Sequence, residues 1–364
     1  MATETLSLRA LNRATLARQL LLARDRVPMV DAIERLGGLQ AQEAKPPFAA
    51  LWSRLEGFTR EQLGAALDAR EVVRGTLMRG TLHLVSGRDY CAFRSALAPV
   101  LAQGLRALGE RAEGLDIEAV LPVARKLLAT GPLTFTELRA LLHEAFPRVH
   151  ERALGFAVRM HLPLVMVPTD DPWSFRSPSR FTLADTWLGT GIVETGSSQA
   201  LVRRHLAAFG PSTTADVQAW SGLKGLGDVF GELRPELIVF RDVRGRELFD
   251  LPGAPRPDED VDAPARLLPE FDSLLLAHAD RTRIVADEHR SALVTKNLRV
   301  RAAFLSDGVV RGTWTVERAR NAATVVLAPF APLPKRAVAP LGEEAVQMLR
   351  FLEPDAPTYD VRIA

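Results

Sequence analysis

Two glutamines separated by one alanine, Gln40 and Gln42, form the first pair of side chains with a chemical use. In an extended segment residues i and i+2 project to the same side, whereas on a regular helix they diverge by about 200°. Each amide offers one acceptor oxygen and two donor hydrogens and stays neutral at any cellular pH. The pair predicts a site that holds a water or a polar ligand without placing charge there. The alternative is a pair of ordinary solvated glutamines near a helix end.

The elements around this pair are predicted from its neighbours. An apolar run from Val30 to Leu36 reads as a short helix that ends at Gly37-Gly38, because glycine readily adopts the left-handed cap conformation. Pro46-Pro47 follows shortly after and is expected to keep the chain from returning to a helix at once. The glutamines are therefore expected on a non-helical segment.

The bulk composition is that of an ordinary globular protein. The chain has 364 residues, of which 47% are hydrophobic and 25% charged, enough for two or three domains. Cys91 is the only cysteine, which excludes disulfides and thiolate metal clusters. There is no signal-peptide pattern or long apolar run, so a cytoplasmic, nucleoid-associated protein is expected. The net charge of +2 comes with 41 arginines and five lysines. Arginine suits phosphate, although a GC-rich genome explains the bias equally well.

Helices followed by a two-stranded hairpin recur along the chain. Residues 72–85 alternate like a hairpin, and this order of helices and then a wing is typical of winged-helix modules. Second and third hairpins are predicted at 162–183 and 237–251, and Gly210-Pro211-Ser212 echoes Gly131-Pro132-Leu133 at the same point of the repeat. Beyond an acidic, proline-rich connector at 252–264, strand patterns lie at 273–276, 298–305, 309–316 and 324–327, and a closing helix is predicted at 342–352. Together they predict a β-rich part docked on the third module.

The predicted fold class is α+β, with three tandem winged helix-turn-helix modules and a C-terminal β-rich subdomain, C-shaped around DNA. The first module, with the N-terminal helix and the glutamine motif, is assigned to residues 1–125. The second is assigned to 126–195, the third to 196–255 and the C-terminal subdomain to 256–364.

Several motifs in this order resemble one bacterial family. They are Leu39-Gln40-Ala41-Gln42, 51–58 (LWSRLEGF), 77–85 (LMRGTLHLV), 268–272 (LPEFD), 277–281 (AHADR) and 312–314 (GTW). Nearly the whole chain is similar to the AlkZ/YcaQ winged-helix proteins, whose best-known members are DNA glycosylases. The Gln-apolar-Gln motif is that of the AlkZ-like branch, while the YcaQ-like branch carries Gln-apolar-Asp. The AlkZ-like branch includes self-resistance enzymes for DNA-alkylating natural products such as azinomycin.

The resemblance implies a monofunctional DNA glycosylase with Gln40 and Gln42 as catalytic residues. A purine alkylated at N7 or N3 is cationic and leaves as a neutral base, so no general acid is needed. Two neutral amides then suffice to orient a water and to stabilise the developing oxocarbenium ion. The expected partner is double-stranded DNA carrying alkylated purines, including bulky adducts or interstrand crosslinks. No cofactor, no metal ion and no membrane partner are expected, and the protein is expected to be a monomer.

Residues for DNA contact are predicted on the first hairpin and near the C-terminus: Arg79, Thr81, His83, His278, Arg281, Arg283, Lys296, Asn297 and Arg299. A lone strand histidine such as His83 is more often structural, and wing arginines such as Arg74 and Arg79 are often merely solvated. His278, Asp280 and His289 invite a metal interpretation, but their spacing matches no standard site.

Two competing hypotheses fit the same sequence features. One is a winged-helix regulator that reads an operator, although three unlike modules in one chain do not fit the usual dimeric half-site arrangement. The other is a catalytically idle or drug-sequestering family member. Only the glycosylase hypothesis gives the paired glutamines a use.

Overall fold

A computed structural model describes residues 4–193, 196–297 and 299–364 of the chain. Within these ranges the α-helices are α1 (Leu8–Arg18), α2 (Met29–Arg35), α3 (Pro46–Trp52), α4 (Arg60–Asp68), α5 (Gly87–Phe93), α6 (Ala98–Gln103), α7 (Ile117–Ala129), α8 (Phe135–Ala145), α9 (Glu151–His161), α10 (Ala184–Leu188), α11 (Ser198–Phe209), α12 (Thr214–Ser221), α13 (Gly227–Leu233), α14 (Arg290–Leu293) and α15 (Lys335–Leu352). The strands are β1 (Thr5–Leu6), β2 (Leu39–Gln40), β3 (Val72–Thr76), β4 (Leu82–Ser86), β5 (Leu133–Thr134), β6 (Leu164–Met166), β7 (Arg180–Leu183), β8 (Ile238–Asp242), β9 (Glu247–Asp250), β10 (Arg266–Leu268), β11 (Ala303–Ser306), β12 (Val309–Ala319), β13 (Ala322–Pro329) and β14 (Tyr359–Ile363). The fold class is α+β, as predicted.

The first two hairpins share one sheet with the order β2-β4-β3-β6-β7-β5. The two halves meet where Gly75 of β3 pairs with Val165 of β6. A Cβ atom on Gly75 would lie 2.5 Å from the Tyr90 ring and 2.8 Å from the Leu164 carbonyl oxygen, so a larger residue would force the hairpins apart. The hydroxyl of Tyr90 donates a 2.9 Å hydrogen bond to that same carbonyl. Glycine at this position lets the first and second hairpins join edge to edge.

The third hairpin, β8 and β9, forms a separate sheet with the short N-terminal strand β1, which runs parallel to β8. The C-terminal sheet has the order β10-β11-β12-β13-β14. Helix α15 packs on this sheet through Leu341, Ala345 and Met348, and Ala49 of α3 belongs to the same apolar cluster. The C-terminal part therefore contacts the first module through this cluster, in addition to the third module, on which docking was predicted.

Two buried ion pairs fasten the N-terminal helices to distant parts of the chain. Arg18 of α1 makes hydrogen bonds of 2.6 and 2.8 Å to Asp250 at the end of the third hairpin. Arg54 makes bonds of 2.9 and 2.8 Å to Asp272, and both side chains are fully buried. Breaking a buried pair by removing one partner costs about 3–5 kcal/mol, so these pairs hold the glutamine-bearing region in register with the C-terminal part.

Several local predictions were wrong. Pro46 and Pro47 do not delay the next helix but open it as its first two residues, where a missing backbone N–H costs nothing. Residues 273–275 form a 3₁₀ turn instead of a strand. The closing helix α15 begins at Lys335, before the predicted 342, and accommodates Pro340 near its start. The predicted strand 298–305 begins at Ala303, and Leu298 lies outside the described residues. The domain boundaries at 125, 195 and 255 stay predictions.

Candidate active site

Gln40 and Gln42 lie at the edge of the six-stranded sheet in two different environments. Gln40 is on β2, opposite His83 of β4, and is only 8% exposed. The amide of Ala41 continues the pairing with a 2.8 Å bond to the Leu82 carbonyl, after which the chain leaves the sheet and Gln42 is exposed. Gln40 thus sits on a strand, as predicted, whereas Gln42 lies at the bend that follows it, so one amide is inside the protein and one is at its surface.

The side chain of Gln40 is oriented by Arg79. Nη2 of Arg79 donates a 2.7 Å hydrogen bond to Oε1 of Gln40, and Nη1 of the same guanidinium donates to the carbonyl of Trp220. Because a guanidinium can only donate, the amide oxygen of Gln40 must face Arg79 and its NH₂ group must point elsewhere. Burial and the nearby charge of Arg281 lower the pKa of Arg79 to about 10, which leaves it protonated at neutral pH.

The backbone of the motif is fixed by Arg74 of β3. Its Nε donates to the carbonyl of Ala41 at 2.8 Å, and its Nη2 donates to the carbonyl of Gln42 at 3.1 Å. The guanidinium also stacks over Phe175, 4.8 Å from the ring centroid. Burial lowers the pKa of Arg74 to about 10. The two hairpin arginines thus hold the glutamines from both sides, one through a side chain and one through the backbone.

The amide of Gln42 is held more loosely. Its Oε1 accepts from the backbone N–H of Leu82 at 3.5 Å, a long contact for a hydrogen bond. Within the described part of the chain, the NH₂ groups of Gln40 and Gln42 donate to no protein atom. The pair therefore offers two free donor groups and, on Gln42, an acceptor oxygen that is only weakly occupied.

His83 and Thr81 support the hairpin. His83 is 1% exposed and donates from Nδ1 to the Thr81 carbonyl at 3.0 Å, while the Thr81 hydroxyl donates to the Met78 carbonyl at 3.1 Å. Burial, with a smaller contribution from the charge of Arg79, lowers the pKa of His83 to about 3. The prediction that His83 contacts DNA is corrected: its ring is buried and neutral, and it packs opposite Gln40.

Two of the predicted C-terminal DNA contacts are also corrected by burial. His278 is 1% exposed and its Nε2 donates to the Phe209 carbonyl at 3.1 Å. Arg283 is 6% exposed and donates to the Pro211 carbonyl at 2.8 Å. Both side chains join the C-terminal part to the end of α11, which is a structural role. Arg281 is only half-buried, with its Nε 3.4 Å from the His278 carbonyl, and stays a candidate for DNA contact.

The loop with Lys296, Asn297 and Arg299 reaches the glutamine segment. Lys296 and Asn297 are exposed, as a DNA contact requires. Arg299 forms a 2.6 Å ion pair with Glu270 and lies 3.5 Å from Glu43, the residue that follows Gln42. The structure therefore brings this C-terminal loop and the paired glutamines, more than 250 positions apart in the sequence, to one region.

The metal interpretation gains no support. Asp280 is engaged by Arg246 at 2.6 Å and by the Thr282 hydroxyl at 2.7 Å. In residues 4–193, 196–297 and 299–364, no three His, Cys, Asp or Glu side chains are grouped so that they could hold a metal ion. No helix in those ranges is long and apolar enough to cross a membrane.

Gln40 and Gln42 thus form a polar site at the edge of a hairpin sheet, with two neutral amides held in place by Arg79 and Arg74. A sequence model of the family described as "DNA glycosylase AlkZ-like" matches residues 33–351. The chain belongs to this AlkZ-like family of DNA glycosylases.

Two comparisons extend over nearly the full length. The chain is 26% identical over 361 residues to an interstrand DNA cross-link repair glycosylase of Streptomyces sahachiroi, covering 92% of this chain and 93% of that protein. Its fold is similar to the solved structure of the Streptomyces sahachiroi DNA glycosylase AlkZ, with a TM-score of 0.81 at 24% identity, covering 99% of this chain and 100% of that one.

Proposed function

We propose that this DNA glycosylase excises cationic N7- or N3-alkylpurines from double-stranded DNA, and that Gln40 and Gln42 place the attacking water. The observation that carries the proposal is the pair of neutral amides at the sheet edge, with Gln40 oriented by Arg79 and Gln42 exposed. A neutral pair matches a lesion that needs no general acid.

The chemistry follows from the state of the leaving group. Alkylation at N7 or N3 puts a positive charge on the purine, so heterolysis of the glycosidic bond releases a neutral base and leaves an oxocarbenium sugar. Water attacks the anomeric carbon from the opposite face and releases a proton to the solvent, which gives an abasic site. An enzyme gains most here by holding the water in a fixed geometry, which is worth several kcal/mol.

The two amides have different tasks in this scheme. Gln40 has one oxygen lone pair engaged by Arg79, so its NH₂ group donates to the water oxygen. Gln42 has an accessible amide oxygen, which accepts one hydrogen of the water. This contact orients the water so that a lone pair on the water oxygen points toward the sugar. Amide oxygens also stabilise a nearby developing cation through their dipoles. An unmodified purine would leave as an anion, and this site offers no acid to protonate it.

The biological role we propose is repair of, or self-resistance to, DNA alkylation in the cytoplasm. The curated relative is named for interstrand DNA cross-link repair, which suggests bulky natural-product adducts or crosslinks as substrates for this chain too. We further propose that it acts as a monomer without a cofactor, as a monofunctional enzyme of base excision repair.

Single-turnover excision tests the proposal on one 25-mer duplex with N7-methylguanine and one with guanine at the same position. Alkali-labile strand breaks should accumulate only on the methylated duplex. The matched control is Gln199→Ala, which changes a half-buried glutamine on α11 whose Nε2 donates to Glu232 at 2.7 Å and which should excise at the wild-type rate. Breaks in neither duplex, together with tight DNA binding, would favour the regulator hypothesis instead.

A further inference from the structure

A cleft with a volume of about 340 Å³ lies against Gln42, between the first and second hairpins. Three arginines line it, Arg74 of β3, Arg159 of α9 and Arg176 of the loop before β7. We call it the arginine cleft. The N-terminal residues of α8, Phe135 and Thr136, form part of its wall.

The positive charges of these arginines are poorly compensated by nearby carboxylates of the protein. In the described part of the chain, Arg74 and Arg159 have no carboxylate oxygen within 4 Å, and Arg74 instead donates to backbone carbonyls. The Nε of Arg159 is buried and has no hydrogen-bond partner. Arg176 is well exposed and its contact with Asp170 is long, at 3.4 Å. Glu43 also lines the cleft, but within 4 Å it approaches Arg299.

Another cavity shows how differently arginines are arranged elsewhere. A cavity of about 620 Å³ beside α12 and α13 is lined by Arg234 and Arg246. Arg234 pairs with Glu247 at 2.8 Å, and Arg246 pairs with Asp242 and Asp280, each at 2.6 Å. The positive charges of Arg234 and Arg246 are balanced by carboxylates of the protein, so that cavity has no uncompensated positive charge to attract an anion.

We propose that the arginine cleft binds a phosphate of the damaged DNA strand close to the lesion. This inference rests on the proposed function, because it places the DNA at Gln42. The guanidinium fork matches phosphate oxygens bidentately, and the amino end of α8 adds a favourable dipole. A cationic alkylpurine would be repelled by three arginines. Arg159 or Arg74 covers one face of each of the rings of Phe135, Phe175 and Phe181, and Phe175 and Phe181 are buried, so they offer little ring surface to a base.

The phosphate also resolves an electrostatic conflict in the site. Positive charge develops on the sugar during excision, and uncompensated arginines beside Gln42 would oppose it. A phosphate seated among them neutralises part of their charge when DNA is bound and leaves the glutamines in a more nearly neutral field. The same contact fixes the sugar relative to the water that Gln42 holds.

The test couples one arginine to one phosphate. A duplex with a single abasic-site analogue fixes the binding register, and each phosphate around the analogue is replaced in turn by a neutral methylphosphonate. Affinity is measured for wild type, Arg159→Gln and Arg176→Gln, with Arg203→Gln as control, because Arg203 is already paired with Glu236 at 2.7 Å. One position should weaken wild-type binding about tenfold and should have little further effect in the two cleft variants. Their salt slopes should fall by about one, since one phosphate contact is lost.

The outcomes separate this inference from the proposed chemistry. If every methylphosphonate weakens wild type and both cleft variants equally, no phosphate sits in the cleft. The same holds if Arg203→Gln shows the same coupling. Arg176 is exposed, so Arg176→Gln decides the question even where Arg159→Gln lowers the melting temperature. Coupling without base release from any alkylated duplex would refute the excision scheme and leave the phosphate site standing. Base release without coupling would refute the phosphate site and leave the excision scheme standing.

Discussion

Arg79 and Gln40 are joined by a 2.7 Å hydrogen bond from the guanidinium to the amide oxygen. Gln40 lies on β2, whereas Arg79 lies in the connection between β3 and β4. Arg79 has a positive φ of 55°, an uncommon conformation for a residue other than glycine, and its side chain is half-buried. A strained backbone persists only where the surroundings determine it. Arg79 was predicted as a DNA contact, and its geometry favours a different role, as the positioning residue of Gln40.

Replacing Arg79 should therefore slow the chemical step more than it weakens DNA binding. We expect Arg79→Ala to lower the single-turnover rate on N7-methylguanine DNA by about 10- to 100-fold, because a misplaced catalytic group costs factors of this size. Affinity for the abasic-site duplex should change by less than about threefold. Arg79→Lys should recover part of the rate, since an ammonium can still donate to Oε1.

Arg281→Ala provides the contrasting variant, because this half-buried arginine lies near Arg79 and its hydrogen bond goes to the His278 carbonyl, whereas that of Arg79 goes to Gln40. It should lower affinity and leave the rate at saturating enzyme unchanged. Equal loss of affinity in both variants, with the rate at saturation unchanged, would return Arg79 to the role of an ordinary DNA contact.

Buried neutral histidines predict how stability depends on pH. Burial lowers the pKa of His83 to about 3, while an unfolded chain has a histidine pKa near 6.5. The unfolded state therefore binds a proton between these values and the folded state does not. The stabilising contribution is present above pH 6.5 and is lost as the pH falls toward 3, at about 1.4 kcal/mol per pH unit.

The measurement is the free energy of unfolding in urea at pH 7.5 and pH 5. His83→Gln should be less stable than wild type at pH 7.5, and the difference should shrink by about 2 kcal/mol at pH 5. A difference that grows on acidification would mean that His83 is charged in the folded protein. His205 has its pKa lowered to about 3 by burial as well, so His205→Gln should show the same trend.

The local elements around the site and the protein family could be predicted from the sequence, because each is determined by short stretches of residues. The alternation at 72–85 predicted β3 and β4, and the double glycine predicted the end of α2. The motif at 268–272 has a physical explanation, since Asp272 pairs with Arg54 inside the protein. The wrongly predicted DNA contacts failed because the side chains are buried. A histidine or an arginine in a polar motif, such as His278 or Arg283, is predicted to be at the surface until its packing is known.

The arginine cleft was missed because its walls come from two modules. Arg74 and Arg159 come together where the two hairpins join through the pairing of Gly75 with Val165, and the sequence around either residue does not specify that partner. The one available signal was Gly75 inside a predicted strand, because glycine there often marks the close approach of another backbone.

The loop at 295–299 should behave as a DNA contact that carries little stability. Changing Lys296, Asn297 and Arg299 together to Ala should lower DNA affinity, and the free energy of unfolding should change by less than about 0.5 kcal/mol. The ion pair of Arg299 with Glu270 is solvent-exposed and contributes little to stability. Thermal unfolding and fluorescence anisotropy on the same preparations check both statements. A large drop in the melting temperature with unchanged affinity would assign the loop a structural role.

The glutamines themselves provide the most direct test of the mechanism. Gln40→Ala and Gln42→Ala should each slow single-turnover excision of N7-methylguanine by about 100-fold or more, and the double variant should be little worse than the poorer single, because residues acting as one unit are not additive. Gln42 is exposed, so Gln42→Ala should leave folding and DNA affinity intact. Gln42→Asp places a carboxylate beside the developing cation and should keep or raise the rate on simple methylated bases. If both alanine variants excise at the wild-type rate, the glutamines do not hold the attacking water.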